Sequence, residues 1–130
     1  MKAFTVNWTT RLILGFAGLT LAGLMASAAL ADDLAAVGQG LYVKRCEGCH
    51  TIDQNSVGPR HRGVVGRKAG AEPGYAYSPA LKNSGVVWTE ANIDQWLQGP
   101  SKMVPGVRMA FSDQDANERQ AIIAYLKTQK

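Results

Sequence analysis

Cys46 and Cys49 are the chain's two cysteines, and they stand in one run, Cys46-Glu47-Gly48-Cys49-His50. Two thiols about one helical turn apart can each add across a vinyl group on the edge of one porphyrin. The imidazole of the next residue, His50, then lies under the iron as its proximal ligand. The pattern is thus an attachment signature for a c-type haem.

Three other chemistries compete for the same residues. Cys46, Cys49, His50 and His61 would make a Cys2His2 zinc set, but structural zinc sites pair two separated ligand clusters. Here three of the four crowd into five residues, and His61 is the one other histidine. A thioredoxin-like redox pair needs a βαβ pattern around the cysteines, and none is visible. A disulfide across two intervening residues closes a very short loop and constrains the unfolded chain little.

An iron held by His50 alone would keep an open face. Met103, Met109 and His61 could close it. Met109 lies in Pro105-Gly106-Val107-Arg108-Met109-Ala110-Phe111, a turn followed by a short stiff stretch. That arrangement can aim one side chain inward. Met103 precedes the turn, and His61 follows a Gly-Pro loop close to His50, which puts it on the proximal side. The local context favours Met109.

These residues need elements to place them. Leu34, Val37, Leu41 and Tyr42 recur at helical spacing. They predict a helix over about 33–46 that delivers the cysteines at its C-terminal end. Gly38 on its apolar face would let another helix approach closely. From Thr51 to Ala76 the chain is rich in Gly, Pro and charge, which predicts a long loop. A loop of that length usually wraps something. Ser78-Pro79 reads as an N-cap with Pro at N1 of a short helix to about Asn83. Thr89 caps a helix with Ile93, Trp96 and Leu97 on one face, stopped by Gly99-Pro100. A loop over 101–111 follows. Ser112, with Asp113 and Asp115 in the first turn, is expected to start a final helix to about Thr128. Nothing alternates as a strand, so the fold class is all-α.

The N-terminus reads as a secretory signal. Lys2 and Arg11 precede an uncharged apolar run, Leu12 to Met25, and Ala29-Leu30-Ala31 forms an A-x-A cleavage site. The run is short for a membrane span, which needs about 20 apolar residues. The expected division is a cleaved signal over 1–31 and one domain over 32–130, with no stable membrane insertion after cleavage. Loss of Lys2 and Arg11 lowers the formal charge from +4 to +2. Such a domain is not a strongly basic nucleic-acid binder.

From Asp33 to Lys127 the chain resembles the small soluble class I cytochromes c, of the bacterial type closest to mitochondrial cytochrome c. The resemblance rests on Gly38 and Tyr42, on Cys46-Glu47-Gly48-Cys49-His50-Thr51, and on Gly58-Pro59. It continues through Gly66-Arg67-Lys68-Ala69-Gly70 and Gly74-Tyr75-Ala76-Tyr77-Ser78. Trp88, the Pro105–Phe111 run and Ala124-Tyr125-Leu126-Lys127 complete it. It implies the cytochrome c fold, about four to five short helices and long loops around one haem c bound through two thioethers.

The resemblance also implies roles. His50 and Met109 would ligate iron, and Cys46 and Cys49 would carry the haem. The Pro59 carbonyl would accept a hydrogen bond from the His50 ring, fixing its tautomer. Arg67, Tyr77 and Trp88 would partner buried propionates, and Phe111 would shield the haem edge. Lys44, Arg45, Lys68, Lys102 and Arg108 would ring that edge and steer acidic redox partners. The implied function is a monomeric periplasmic one-electron shuttle between complexes of a respiratory or photosynthetic chain. It is not an enzyme.

Four positions depart from the family's common pattern. His61 stands where an apolar residue usually packs; it could face solvent, disturb the proximal pocket or add a titrating group. Trp96 replaces a Tyr near the methionine sulfur, Val107 a Thr and Leu81 an Asn. The last three make the methionine side less polar. A drier, less hydrogen-bonded site favours ferrous iron, so an elevated potential is expected. Two other functions compete. A gas-binding haem protein needs a displaceable sixth ligand. A peroxidase needs polar acid–base groups over an open face, and the distal candidates here are apolar.

Overall fold

The computed structural model describes residues 17–130, with side chains from Leu30 onward. Lys2, Arg11 and the start of the apolar run lie outside the described residues. Contacts divide the chain into Met1–Asp32 and Asp33–Lys130, and the residues that build the site belong to the second unit. Among the described residues there are five helices and no strand, with one isolated bridge between Lys68 and Val87. They are α1 (Ala17–Arg45), α2 (Pro79–Lys82), α3 (Glu90–Gln98), α4 (Pro100–Met103) and α5 (Ala116–Thr128). No described helix is long and apolar enough to cross a membrane.

Helix α1 begins well before the expected start near Asp33. Its buried face also differs from the expected stripe. Leu34 and Val37 are 42% and 58% exposed, whereas Gly38 and Tyr42 are buried. The reason is steric. A Cβ on Gly38 would overlap the carbonyl oxygen of Ala121 and sit 3.0 Å from Tyr125 Cβ. The bare glycine lets α1 and α5 touch backbone to backbone, and that contact chooses the face that turns inward. Tyr42, one turn on, then packs its ring 5.2 Å from that of Tyr125.

Helix α3 follows its sequence signals. Thr89 Oγ1 accepts from Asn92 N at 3.1 Å, and Ile93, Trp96 and Leu97 are buried. Gly99-Pro100 ends α3 at Gln98 as expected, but the loop expected over 101–111 opens with a further helical turn. Pro100 takes the first position of α4, a single turn. Helix α5 starts later than Ser112. Asp113 N is held by Leu97 O at 2.7 Å, which keeps this stretch against α3. Asp115 is the N-cap, its Oδ1 accepting from Asn117 N and Glu118 N. Ala121, Ile122, Ile123 and Leu126 then enter the core. Buried Arg119 ties α5 to α3 through Asp94 at 2.8 Å and to the Asp113 carbonyl at 3.1 Å.

The long loop is fastened to the strand-like segment before α3. Ala69 N bonds Val86 O, Trp88 N bonds Arg67 O and Gly66 N bonds Trp88 O, at 2.8–2.9 Å. Ser78 caps α2 as expected, accepting from Leu81 N at 3.2 Å. These bonds set Arg67 and Trp88 side by side on one wall.

The glycine contact gives a paired test. Gly38→Ala should destabilise the holoprotein by about 1–3 kcal/mol or more, because backbone cannot yield as a side chain can. Gly40→Ala meets nothing within 4 Å and should stabilise by roughly 0.5–1 kcal/mol through helix propensity. Denaturant unfolding of both variants measures the difference.

Candidate functional site

Helix α1 ends at Arg45, and its hydrogen-bond pattern runs on into the cysteine turn. Cys46 N bonds Tyr42 O at 2.8 Å, and His50 N bonds Cys46 O at 2.8 Å. Cys46 is half-buried and Cys49 exposed, both as free thiols. Burial, helped by nearby Asp113, pushes the Cys46 thiol up to about 11. Both cysteines and His50 line one cavity of about 500 Å³.

The His50 ring is aimed by its backbone neighbours. Nδ1–H donates to the Pro59 carbonyl at 2.8 Å, the bond the resemblance implies. With that proton fixed, Nε2 carries the free lone pair. Burial lowers the imidazole pKa, and the Pro59 bond partly opposes that shift. The loop returns to His50 because Gly58 N bonds Cys49 O at 2.7 Å. A Cβ on Gly58 would overlap the imidazole, lying 2.6 Å from Nε2. Only glycine lets the backbone come this close.

His61 does not face solvent. Its ring stacks on His50 with centroids 4.1 Å apart and planes 18° apart. Tyr42 Oη lies 3.1 Å from its Nδ1. Burial holds His61 well below the usual imidazole range, with the charges of His50 and Arg67 adding to the shift. Face-to-face rings do not converge their nitrogens on one metal, which weighs against the Cys2His2 reading. The Tyr42–His61 contact, 19 residues apart in sequence, was not foreseen.

Met109 lines the same cavity, whereas Met103 packs on the core from α4. The sulfur is not left without a donor. Trp96 Nε1–H points to Met109 Sδ at 3.1 Å. This corrects the expectation that replacing Tyr by Trp strips the methionine side of hydrogen bonding: the indole N–H occupies the role a hydroxyl would fill. Leu81, Val107, Phe111 and Leu97 add apolar wall.

Arg67, Tyr77 and Trp88 also line the cavity. Burial raises the Tyr77 pKa. Trp88 is buried with its ring 5.1 Å from Trp96. Arg67 has protein partners that the sequence did not reveal. Its Nη1 donates to Glu72 Oε2 at 2.6 Å and to Arg62 O at 3.1 Å, and its Nη2 to Arg60 O at 2.8 Å. Glu72 also takes Arg60 Nε at 2.5 Å. One signal was available: Glu72 and Asp53 are the two acids in the basic stretch from Thr51 to Ala76.

All five expected docking cations, Lys44, Arg45, Lys68, Lys102 and Arg108, are exposed. Arg45 is engaged with Glu118 and lies 3.9 Å from Asp113. Arg108 donates to the Ala76 carbonyl at 3.0 Å.

The donor set fits a covalently held haem. It offers two thiols, one imidazole nitrogen with its tautomer fixed, one thioether sulfur and an apolar cavity of cofactor size. The family profile described as Cytochrome c matches residues 35–130. The chain is 46% identical over 96 residues to a cytochrome c2 of Rhodopila globiformis, covering 72% of this chain and 91% of that one. Among solved structures it is similar to cytochrome cH from Methylobacterium extorquens. The TM-score is 0.69 at 48% identity, over 72% of this chain and 97% of that one. It is also similar to ferricytochrome c2 from Rhodopseudomonas palustris. There the TM-score is 0.69 at 37% identity, over 74% and 98% of the two chains. By sequence, fold and donor set alike, the chain belongs to the cytochrome c family, whose members hold haem c through thioether bonds and carry electrons without transforming a substrate.

Proposed function

We propose that this electron carrier works in the periplasm, with His50 and Met109 as axial ligands of a haem held by Cys46 and Cys49. It would pass single electrons between redox complexes of a respiratory or photosynthetic chain. The observation that carries this reading is the single cavity lined by both thiols, the His50 imidazole and the Met109 sulfur.

The haem supplies an iron couple that gains or loses one electron without changing its ligands. The chain's own residues do the rest. Pro59 holds the His50 ring so that Nε2 remains an acceptor. Trp96 aims a positive N–H dipole at the Met109 sulfur, which opposes charge donation to ferric iron and so favours the ferrous state. Leu81, Val107 and Phe111 keep water from the methionine side. Arg67, Tyr77 and Trp88 bring a guanidinium, a hydroxyl and an indole N–H for the propionates. Lys44, Lys68 and Lys102, with Arg45 and Arg108 beside them, steer acidic partners to a brief encounter. Export is supported by the Lys2/Arg11 start, the apolar run and the Ala29-Leu30-Ala31 site.

Absorption spectroscopy of protein made in a periplasm with haem-attachment machinery tests the ligation. The expected ferric spectrum is low-spin with the weak far-red band of a thioether ligand. A high-spin spectrum, or ready change with carbon monoxide, would overturn the reading. Met109→Ala should lose that band and open the sixth position to carbon monoxide. Trp96→Phe should keep the band but lower the reduction potential by on the order of 30 mV, half a decade at about 59 mV per tenfold. The intact mass of the periplasmic protein should equal the chain from Asp32 plus one haem. A mass that includes residues 1–31 would instead mark a retained segment.

A further inference from the structure

Glu72 is a carboxylate whose side chain is 3% exposed, and it accepts from two guanidinium groups. Arg67, 16% exposed, lines the cavity, while Arg60, 40% exposed, reaches toward solvent. Burying a carboxylate costs several kcal/mol unless charge and hydrogen bonds compensate. Both oxygens of Glu72 are compensated. The return is in the geometry of Arg67. A guanidinium has five N–H donors in a rigid plane. Three of these are committed, to Glu72, Arg62 O and Arg60 O. The plane of the guanidinium is thereby fixed, and Nε–H and one Nη2–H remain for a group in the cavity.

Charge balance adds a second consequence. Two guanidiniums and one carboxylate leave one net positive charge in the cluster, which one propionate can match. Without Glu72 the cluster would carry two. A positive charge near the iron disfavours the ferric state, and a negative one favours it.

We propose that Glu72 is a positioning residue for electron transfer: it orients Arg67 toward the haem propionates and holds the reduction potential down by offsetting the arginine charge. This rests on the reading of Arg67 as a propionate partner. Arg60 is the outer half of the same device. It screens Glu72 from the solvent side, so the two residues act on the potential with opposite signs.

The test is redox titration of the spectroscopically intact holoproteins. Glu72→Gln, nearly the same shape, should raise the potential enough to shift the oxidised-to-reduced ratio at least threefold, about 28 mV at ~59 mV per tenfold. Glu72→Asp keeps the charge and should stay nearer the parent. Arg60→Gln, at a more exposed position, should lower the potential. Arg62→Gln makes the same charge change on the same loop, but Arg62 pairs with the exposed Asp53, so its shift should be less than half that of Arg60→Gln. Unchanged potential in Glu72→Gln with only a lowered melting temperature overturns the proposal and leaves a structural ion pair. Equal shifts in Arg60→Gln and Arg62→Gln also overturn it, because they show a general surface-charge effect. Loss of the thioether band in the parent protein would instead sink the ligation reading itself.

Discussion

The hydrogen bond from the His50 ring to the Pro59 carbonyl constrains more of the chain than any other single contact. It requires the backbone nine residues downstream to return to the imidazole. That return is possible only if the residue beside Pro59 has no side chain, because Gly58 passes over the ring within contact distance. It also requires a loop that turns tightly, and Gly58 N to Cys49 O closes that turn from the other direction. One tautomer, one ring plane and one free nitrogen follow. The stretch from Cys46 to His61 is therefore one structural unit. The cysteine turn presents the thiols, the loop aims the imidazole, and the His61 ring backs it.

The domain is small, and its helices outside α1 are short. Part of its rigidity comes from buried charge. Arg119 joins α5 to α3 through Asp94 and the Asp113 carbonyl. Arg67 joins three points of the long loop. Such clusters are not strong sources of net stability, since desolvation offsets much of the attraction. Their value is directional: a planar guanidinium with several fixed acceptors cannot rotate without breaking bonds to all of them. A loop of 26 residues from Thr51 to Ala76 holds one geometry because these ties, and the bonds to Val86 and Trp88, replace the regular ladder it lacks.

Much of this was legible in the sequence wherever the signal is local. The cysteine motif, the Ser78 and Thr89 caps, the α3 stripe of Ile93, Trp96 and Leu97, and the turn that brings Met109 to the cavity each depend on a few neighbouring residues. The errors share a different cause. Spacing alone points to Leu34 and Val37 as the inward face of α1, but a tertiary contact at Gly38 decides it. The local signal puts the start of α5 at Ser112, but a backbone bond from Asp113 to Leu97 delays it. In sequence Trp96 counts as the loss of a hydroxyl, whereas the position of its N–H depends on how α3 faces the Met109 loop. The Arg60–Glu72–Arg67 cluster was missed because its charges meet only after the loop folds. Local pattern specifies the elements, and the contacts between them specify which faces and donors are used.

The two electrostatic features around the cavity pull the iron couple in opposite directions. The Trp96 dipole acts directly on the Met109 sulfur, the proposed ligand atom, and would favour the ferrous form. Glu72 acts through Arg67 and favours the ferric form. Their reach differs as well. A dipole's influence falls faster with distance than a charge's, so the indole must touch the sulfur to matter, and it does at 3.1 Å. A carboxylate can act from behind another side chain, provided it is kept from water, and Glu72 is so buried. The sequence argues for an elevated potential from a methionine side poor in hydrogen bonds; the Trp96 donor overturns that premise and supplies a different upward influence, its dipole on the sulfur. With the indole donor in place the upward influence has a specific source, and with Glu72 in place it has a specific opponent. A carrier that must both accept and release electrons gains from such opposition: its potential depends on a difference of two local fields, and single substitutions at either residue can move it without rebuilding the ligand set.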